Sequence, residues 1–264
     1  MVAPAGMARH LSPMCGRAFL SSDFGEIARV FGIPPERPAP NFAANWNAAP
    51  TQDLPVVRYD AAARHRSLDL MRWGLVPFWA KDVKIGYSTF NAKAEGIERK
   101  PAFREAFRRR RCLVPVNGFY EWKKAGKARQ PYAVARADRT PLALAGLWEA
   151  WHSSPGETGG ETLRSFTIVT TAANALLAPL HERMPVILDP EDWPLWLGEN
   201  PAEPAELKAL LRPCPPEALT LWPVSPRVGN VRNNDPALVE PLAQPAPPEE
   251  GGKARGRRSA PIAT

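Results

Sequence analysis

Apolar positions along this chain fall into short runs, and the spacing within each run predicts an element. After Ser22, residues Phe24, Ile27, Val30 and Phe31 recur on one helical face, and Gly32 supplies the stop. Strand-like runs follow at 56–59 and 68–73, the second alternating Leu68, Leu70 and Arg72 against its neighbours. Pro101 stands at a helix start, with Phe103 and Phe107 four residues apart on one face. That helix closes on Arg108 to Arg111, where cations complement the C-terminal dipole or, equally, present a phosphate-facing edge. Further strands are expected at 112–116, 132–137, 142–145 and 166–170. Asp189 is expected to cap a helix with Pro190 in its first position, and another helix to cover 205–211.

The segments between these runs are punctuated by proline and glycine. Pro34 to Pro40 forms a connector, 73–79 an aromatic loop stiffened by Gly74 and Pro77, and 152–162 a polar, glycine-rich exposed loop. There is no internal repeat and no βαβ rhythm. The expected fold is a single α+β domain: a mixed, mostly antiparallel, curved or barrel-like sheet flanked by short helices. It should occupy 14–243, preceded by a removable extension at 1–13 and followed by a disordered basic tail at 244–264.

Composition narrows the class. With 264 residues and a 44% apolar share, the chain can bury a substantial core. Its 31 prolines favour short elements, and its 9 tryptophans offer flat surfaces for packing or for stacking on bases. The net charge of +7 suits an anionic partner such as nucleic acid, although Lys253, Arg255, Arg257 and Arg258 of the tail supply part of it. Cys15, Cys112 and Cys214 share no short spacing, which argues for a reducing compartment and against a disulfide framework or zinc site. No run approaches membrane-spanning length, and residues 1–13 lack the apolar core of a secretory signal. A cytoplasmic monomer with no cofactor and no metal is expected.

Four segments combine reactive and rigid residues. In Met14-Cys15-Gly16-Arg17, a start at Met14 would let an aminopeptidase expose Cys15 with both a free α-amine and a thiol. Both groups have reactive forms near neutrality, and together they can close a thiazolidine on an aldehyde. A small buried cysteine is the plainer reading of those four residues. In Ser88 to Glu95, Asn91 and Lys93 alternate onto one face of an extended segment, where an amide and a cation would orient a sugar hydroxyl and a phosphate. A loop asparagine satisfying the backbone is the alternative. In Asn117 to Trp122, Glu121 follows a strand among aromatics, which would desolvate it and raise its pKa, unless it pairs at an exposed edge with Lys123 or Lys124. In Pro179 to Pro185, prolines pin His181 and Arg183 in a loop, a mount for a general acid beside an anion.

These segments resemble, in order, the SOS response-associated peptidase (SRAP) family. The resemblance rests on Met14-Cys15-Gly16-Arg17, Asn47-Ala48-Ala49-Pro50, Trp73-Gly74-Leu75-Val76-Pro77, Phe90-Asn91-Ala92-Lys93-Ala94-Glu95 and Gly118-Phe119-Tyr120-Glu121-Trp122. It continues through Phe166 to Thr170, His181-Glu182-Arg183-Met184-Pro185, Pro223-Val224-Ser225 and Val228-Gly229-Asn230-Val231. The resemblance implies a shield for abasic sites in single-stranded DNA. Cys15 would form the crosslink, Asn91 would hold the opened sugar, Glu121 would shuttle the amine's proton, and His181 would protonate the ring oxygen. It also implies DNA contacts by Arg17, Asn47, Lys93, Thr170 and Arg183, with Trp79 and Trp122 as wedge or stacking surfaces. Many members carry Arg where this chain has Lys93, which keeps the charge but loses the planar fork. A slow lyase or crosslink-reversal activity accompanies this reading. The alternatives are a cysteine peptidase using Cys15, His181 and Glu121, acting on its own N-terminus among other targets, and a non-catalytic single-strand binder.

Overall fold

A computed structural model of the chain describes residues 16–36, 40–125, 128–153 and 161–242. The extension at 1–13, Cys15, most of the 152–162 loop and the tail from 244 lie outside these residues.

The long apolar runs become the strands of a closed barrel. In chain order the strands are β1 (Ala18–Leu20), β2 (Asn45–Ala48), β3 (Asp53–Asp60), β4 (His65–Trp73), β5 (Asn91–Lys93), β6 (Arg111–Val116), β7 (Gly118–Ala125), β8 (Ala128–Arg136), β9 (Leu142–His152), β10 (Thr162–Ala172), β11 (Arg183–Pro185) and β12 (Leu219–Pro223). Strands β3, β4, β10, β9 and β6 pair in a ring, with every seam antiparallel except the parallel one between β4 and β10. A second, fully antiparallel sheet has the order β12-β8-β7-β1-β2. The single α+β domain with a mostly antiparallel, barrel-like sheet is what the apolar pattern predicts.

Period-two alternation explains why the barrel strands are so continuously apolar. Val56, Val114, Leu144 and Ile168 face one cluster, which includes Ala18, Phe119 and Val134 of the second sheet. Their neighbours Val57, Leu113, Ala145 and Val169 face another, filled by Ile27, Phe31, Phe107, Trp193 and Trp196 from helices. A strand covered on both faces has no polar side to show.

The helices are short. Helix α1 (Phe24–Phe31) ends at Gly32, whose φ of 64° is the left-handed conformation expected of such a stop. Its N-cap is Asp23, which accepts from the Glu26 N–H at 2.8 Å, while Ser22 receives the Asn117 amide. Helix α2 (Arg104–Arg109) starts later than Pro101 suggests, because residues 101–103 form a turn. Asp189 makes no side-chain capping bond; a 3₁₀ turn at Pro190–Asp192 leads into α3 (Trp193–Leu197). Helix α4 (Pro204–Ala209) is closed by a capping box between Glu203 and Glu206. No helix among the described residues is long and apolar enough to cross a membrane.

The arginine run resolves into two pairs. Arg110 forms an ion pair with the buried Glu149 at 2.8 Å, and Arg111 donates to the carbonyls of Phe107 at 2.9 Å and Arg108 at 2.7 Å, closing α2. Arg108 and Arg109 remain exposed.

Gly118, at the turn from β6 into β7, is a point of close approach. A Cβ there would lie 2.3 Å from the Val134 carbonyl oxygen and 2.3 Å from the Phe19 ring. Because the backbone carbonyl cannot step aside, Gly118→Ala is expected to cost about 1–3 kcal/mol in denaturant unfolding. Gly229→Ala, where nothing lies within 4 Å, should leave the unfolding midpoint near wild type.

Candidate functional site

Two short strands flank the C-terminal part of β10. Strand β5 runs parallel to it, with Ile168 opposite Asn91 and Thr170 opposite Lys93. On its other side β11 runs antiparallel, with Thr170 opposite Pro185 and Ala172 opposite Arg183. Asn91 and Lys93 share a face, as their spacing predicts, because Ala92 between them is fully buried. The buried Trp73 indole fixes the entry to β5 by donating to the Phe90 carbonyl at 2.9 Å.

Glu121 lies within β7 rather than after a strand, opposite Tyr132. At 6% exposure it is buried, so it is not an exposed edge partner of Lys123 or Lys124. Its Oε1 accepts from the Trp122 N–H at 3.2 Å. Strand β1 pairs with β7 through Ala18 opposite Phe119, and the Tyr120 N–H donates to the Arg17 carbonyl at 3.0 Å. Continuing that register brings Gly16 level with Glu121, and a Cβ on Gly16 would lie 3.7 Å from the Phe90 ring. Glu121, Gly16 and the Phe90–Asn91 step therefore converge where the described chain begins. Cys15 itself lies outside the described residues.

His181 precedes β11. Its Nδ1 accepts the Arg183 N–H at 3.1 Å, which places the proton of the neutral ring on Nε2. Partial burial lowers its pKa, helped by the nearby Lys124 and Arg183 and opposed by Glu182. At neutral pH the ring is uncharged.

The expected phosphate contacts divide by exposure. Lys93 is exposed. Arg183 is 13% exposed, and its guanidinium is engaged on every side. Nη1 and Nη2 grip the two Glu95 oxygens at 3.0 and 2.9 Å, and Nη2 also donates to the Thr170 carbonyl at 2.6 Å. Thr170 is fully buried, its hydroxyl directed to the Ala92 carbonyl at 3.4 Å.

Arg17 and Asn47 form a separate, internal network. Asn47 is 1% exposed, and its amide nitrogen donates to the carbonyls of Val228, Asn230 and Asn233 at 3.2, 3.0 and 2.9 Å. Its oxygen accepts from Arg17 at 2.9 Å, and the same guanidinium reaches the Val228 carbonyl at 2.7 Å. Both side chains hold the 226–233 turns against β1 and β2.

Trp79 is 50% exposed on the loop after β4, which Trp151 anchors by donating to the Ala80 carbonyl at 2.6 Å. Trp122 is half-buried against a third cluster containing Tyr120, Val224 and Val228. The structure thus gathers Asn91, Lys93, Thr170, His181 and Arg183 around β10, sets Glu121 beside Gly16, and gives Arg17 and Asn47 internal partners. Sequence reasoning assigned no role to Glu95 or Lys100, although Glu95 closes the Asn91-Ala92-Lys93-Ala94-Glu95 segment. Among the described residues, no three His, Cys, Asp or Glu side chains are grouped to hold a metal ion.

Residues 14–231 match the SOS response associated peptidase (SRAP) family. The chain is 37% identical over 228 residues to the abasic site processing protein YoqW of Bacillus subtilis (strain 168), spanning 86% of this chain and 99% of that one. It is 33% identical over 229 residues to the abasic site processing protein HMCES of Xenopus tropicalis, spanning 75% of this chain and 66% of that one. A crystal structure of a protein from Bacteroides thetaiotaomicron is similar with a TM-score of 0.77 and 26% identity, covering 87% of this chain and 100% of that one.

The Asn47 network yields a stability test. Asn47→Ala would remove the buried amide that joins the Val228, Asn230 and Asn233 carbonyls to Arg17, for an expected loss of about 1–3 kcal/mol in denaturant unfolding. A loss below roughly 0.5 kcal/mol, the range of an ordinary surface substitution, would show that the turns hold without it.

Proposed function

Because the chain belongs to the SOS response associated peptidase family, we propose that it processes abasic sites in single-stranded DNA by closing a thiazolidine between Cys15 and the deoxyribose. The observation that carries this reading is the convergence of the buried Glu121, Gly16 and the Phe90–Asn91 step at one place. Two relatives that match most of this chain are named abasic site processing proteins.

An abasic deoxyribose must open before it offers an aldehyde at C1′. His181 donates a proton to the ring oxygen as its bond to C1′ breaks, and the C1′ hydroxyl gives its proton to water as the carbonyl forms. The Cys15 α-amine, freed by loss of Met14, adds to C1′, and water leaves as the imine forms. The sulfur then adds to the imine carbon, and the thiol proton passes to the ring nitrogen. Glu121 carries protons between amine, water and sulfur, and Asn91 holds the opened sugar. Positioning alone can contribute several kcal/mol to such a closure, about 7–11 in the best-aligned cases.

Lys93 and Arg183 take the phosphates. Trp79 and Trp122 supply flat surfaces that accept any base, so binding depends little on sequence. Arg17, Asn47 and Thr170 act from beneath, by shaping the backbone that meets the strand. Crosslink reversal or lyase activity would run through the same imine.

Incubation with an abasic oligonucleotide should give a heat-stable adduct, detected by intact mass, that Cys15→Ser abolishes. An adduct of equal yield in Cys15→Ser would sink the mechanism, and cleavage of an unrelated peptide would favour the peptidase reading instead.

The pH dependence follows from His181. Its pKa lies below the ordinary 6.5, so the donating imidazolium grows in only as pH falls below that value. The amine, with a reference pKa of about 7.7–8.0, is already mostly protonated there, and its free fraction keeps falling about tenfold per pH unit. Wild-type adduct formation should therefore fall less steeply on acidification than in His181→Ala, where only the loss of the amine remains. Identical slopes would remove His181 as the acid.

A further inference from the structure

The Arg183 fork is occupied in the free protein, and its occupant is another side chain. Both Glu95 carboxylate oxygens sit on it in the two-pronged geometry that a phosphate oxygen pair adopts. Arg183 is 13% exposed whereas Glu95 is 61% exposed, so the cation is built into the fold and the anion lies over it from the solvent side. The remaining donors of that cation are committed inward, to the Thr170 hydroxyl and carbonyl. More positive charge surrounds this carboxylate. The Lys100 amine donates to the Lys93 carbonyl at 3.4 Å and feels the charges of Glu95, Lys93 and Arg183 together.

The geometry points to a single phosphodiester subsite formed by Arg183, Lys93 and Lys100, which the Glu95 carboxylate fills in the free protein and a DNA backbone phosphate fills by displacing it. The inference rests on the reading that this chain binds DNA and deepens it. Two cations, Arg183 and Lys100, act on this carboxylate, and the exposed Lys93 acts on Lys100 in turn, which leaves a positive excess that a phosphate can satisfy as well as Glu95 does. A strand approaching Arg183 meets Glu95 first. Displacement costs little, because Glu95 is already largely in water and regains its hydration as it swings out. Glu95 therefore sets a threshold: weak anions do not displace it, whereas a phosphate held also by neighbouring contacts does.

Displacement also has a proton signature. The ion pair with Arg183 holds the Glu95 carboxyl below its ordinary range, with Lys100 contributing in the same direction. Glu98, which faces Lys100, is itself paired with Lys208 of α4 at 3.0 Å. Once a phosphate takes the fork, Glu95 loses Arg183 and gains a negative neighbour, so its pKa rises. The complex then binds more protons than the free protein, and affinity increases as pH falls into the carboxylate range.

The test uses an undamaged thymine oligonucleotide, so that no covalent step contributes, with wild type, Glu95→Gln and Lys100→Ala. Glu95→Gln should tighten binding roughly two- to fivefold, the size of one partly exposed ion pair, and should flatten the pH dependence below 6. Lys100→Ala should weaken binding and reduce the slope of log affinity against log salt by about one contact. The carboxyl carbon resonance of Glu95 should titrate at higher pH in the wild-type complex than in the free protein. Unchanged or weaker binding by Glu95→Gln, or a Glu95 carboxyl that stays low in the complex, would show that Glu95 merely positions Arg183 and would overturn the subsite. If the wild type captures abasic DNA and Glu95→Gln gains nothing, only this inference falls. If neither protein binds the oligonucleotide, the DNA-binding reading falls with it.

Discussion

The partner exchange along β10 is the constraint on which the rest of the molecule depends. From Thr162 to Ile168 this strand pairs with β9 and closes the barrel. From Ile168 to Thr170 it pairs with β5, and from Thr170 to Ala172 with β11. One strand therefore serves both as a stave of the core and as the mount for Asn91, Lys93 and Arg183. Its residues Phe166, Ile168 and Val169 are fully buried, so the register that places the site is fixed by the same apolar contacts that stabilise the fold. A slip of one residue would bury Lys93 and expose Ala92.

Burial sorts the polar side chains of this region by role. Asn47, Thr170 and Arg17 spend their hydrogen bonds on protein carbonyls and side chains, which is what a desolvated polar group must do to avoid a penalty of about 1–3 kcal/mol. Lys93 and Trp79 remain in contact with water and are available to a partner. Arg183 belongs to neither set. Its inward donors are fixed by Thr170, while its outward fork faces a carboxylate that can be exchanged for another anion. Glu121 is buried, and the half-buried His181 has its pKa lowered chiefly by that burial.

Much of the fold was legible because local pattern and tertiary structure agreed. The amphipathic spacing of α1 and its Gly32 stop, the strand runs within β3 and β4, and the apolar runs of β6 and β10 all follow from periodicity. Strands β1, β2 and β11 are only three or four residues long, and β7 is buried on both faces through Phe119 and Tyr120. No alternation marks such segments, and only distant pairing makes them strands. The same distinction separates the parts of the site. The shared face of Asn91 and Lys93 is a property of two neighbours and could be read directly. The grip of Arg183 on Glu95 spans 88 residues, and that of Asn47 on Val228 spans 181. These contacts exist only because β10 and the second sheet bring their elements together. Asp189 shows the converse: its capping signal was present, but its carboxylate makes no capping bond and lies 3.7 Å from the Arg136 guanidinium instead.

The proposed crosslink turns on chemistry at one nitrogen, the α-amine of Cys15. The most direct measurement compares two purified chains, one beginning at Cys15 and one retaining residues 1–14, for heat-stable adducts with the same abasic oligonucleotide. A heat-stable adduct is expected only when Cys15 is the first residue, with the longer chain limited to a labile thiol addition lost on heating. Equal yields of heat-stable adduct from both chains, with residues 1–14 still present in the adduct by mass, would contradict it.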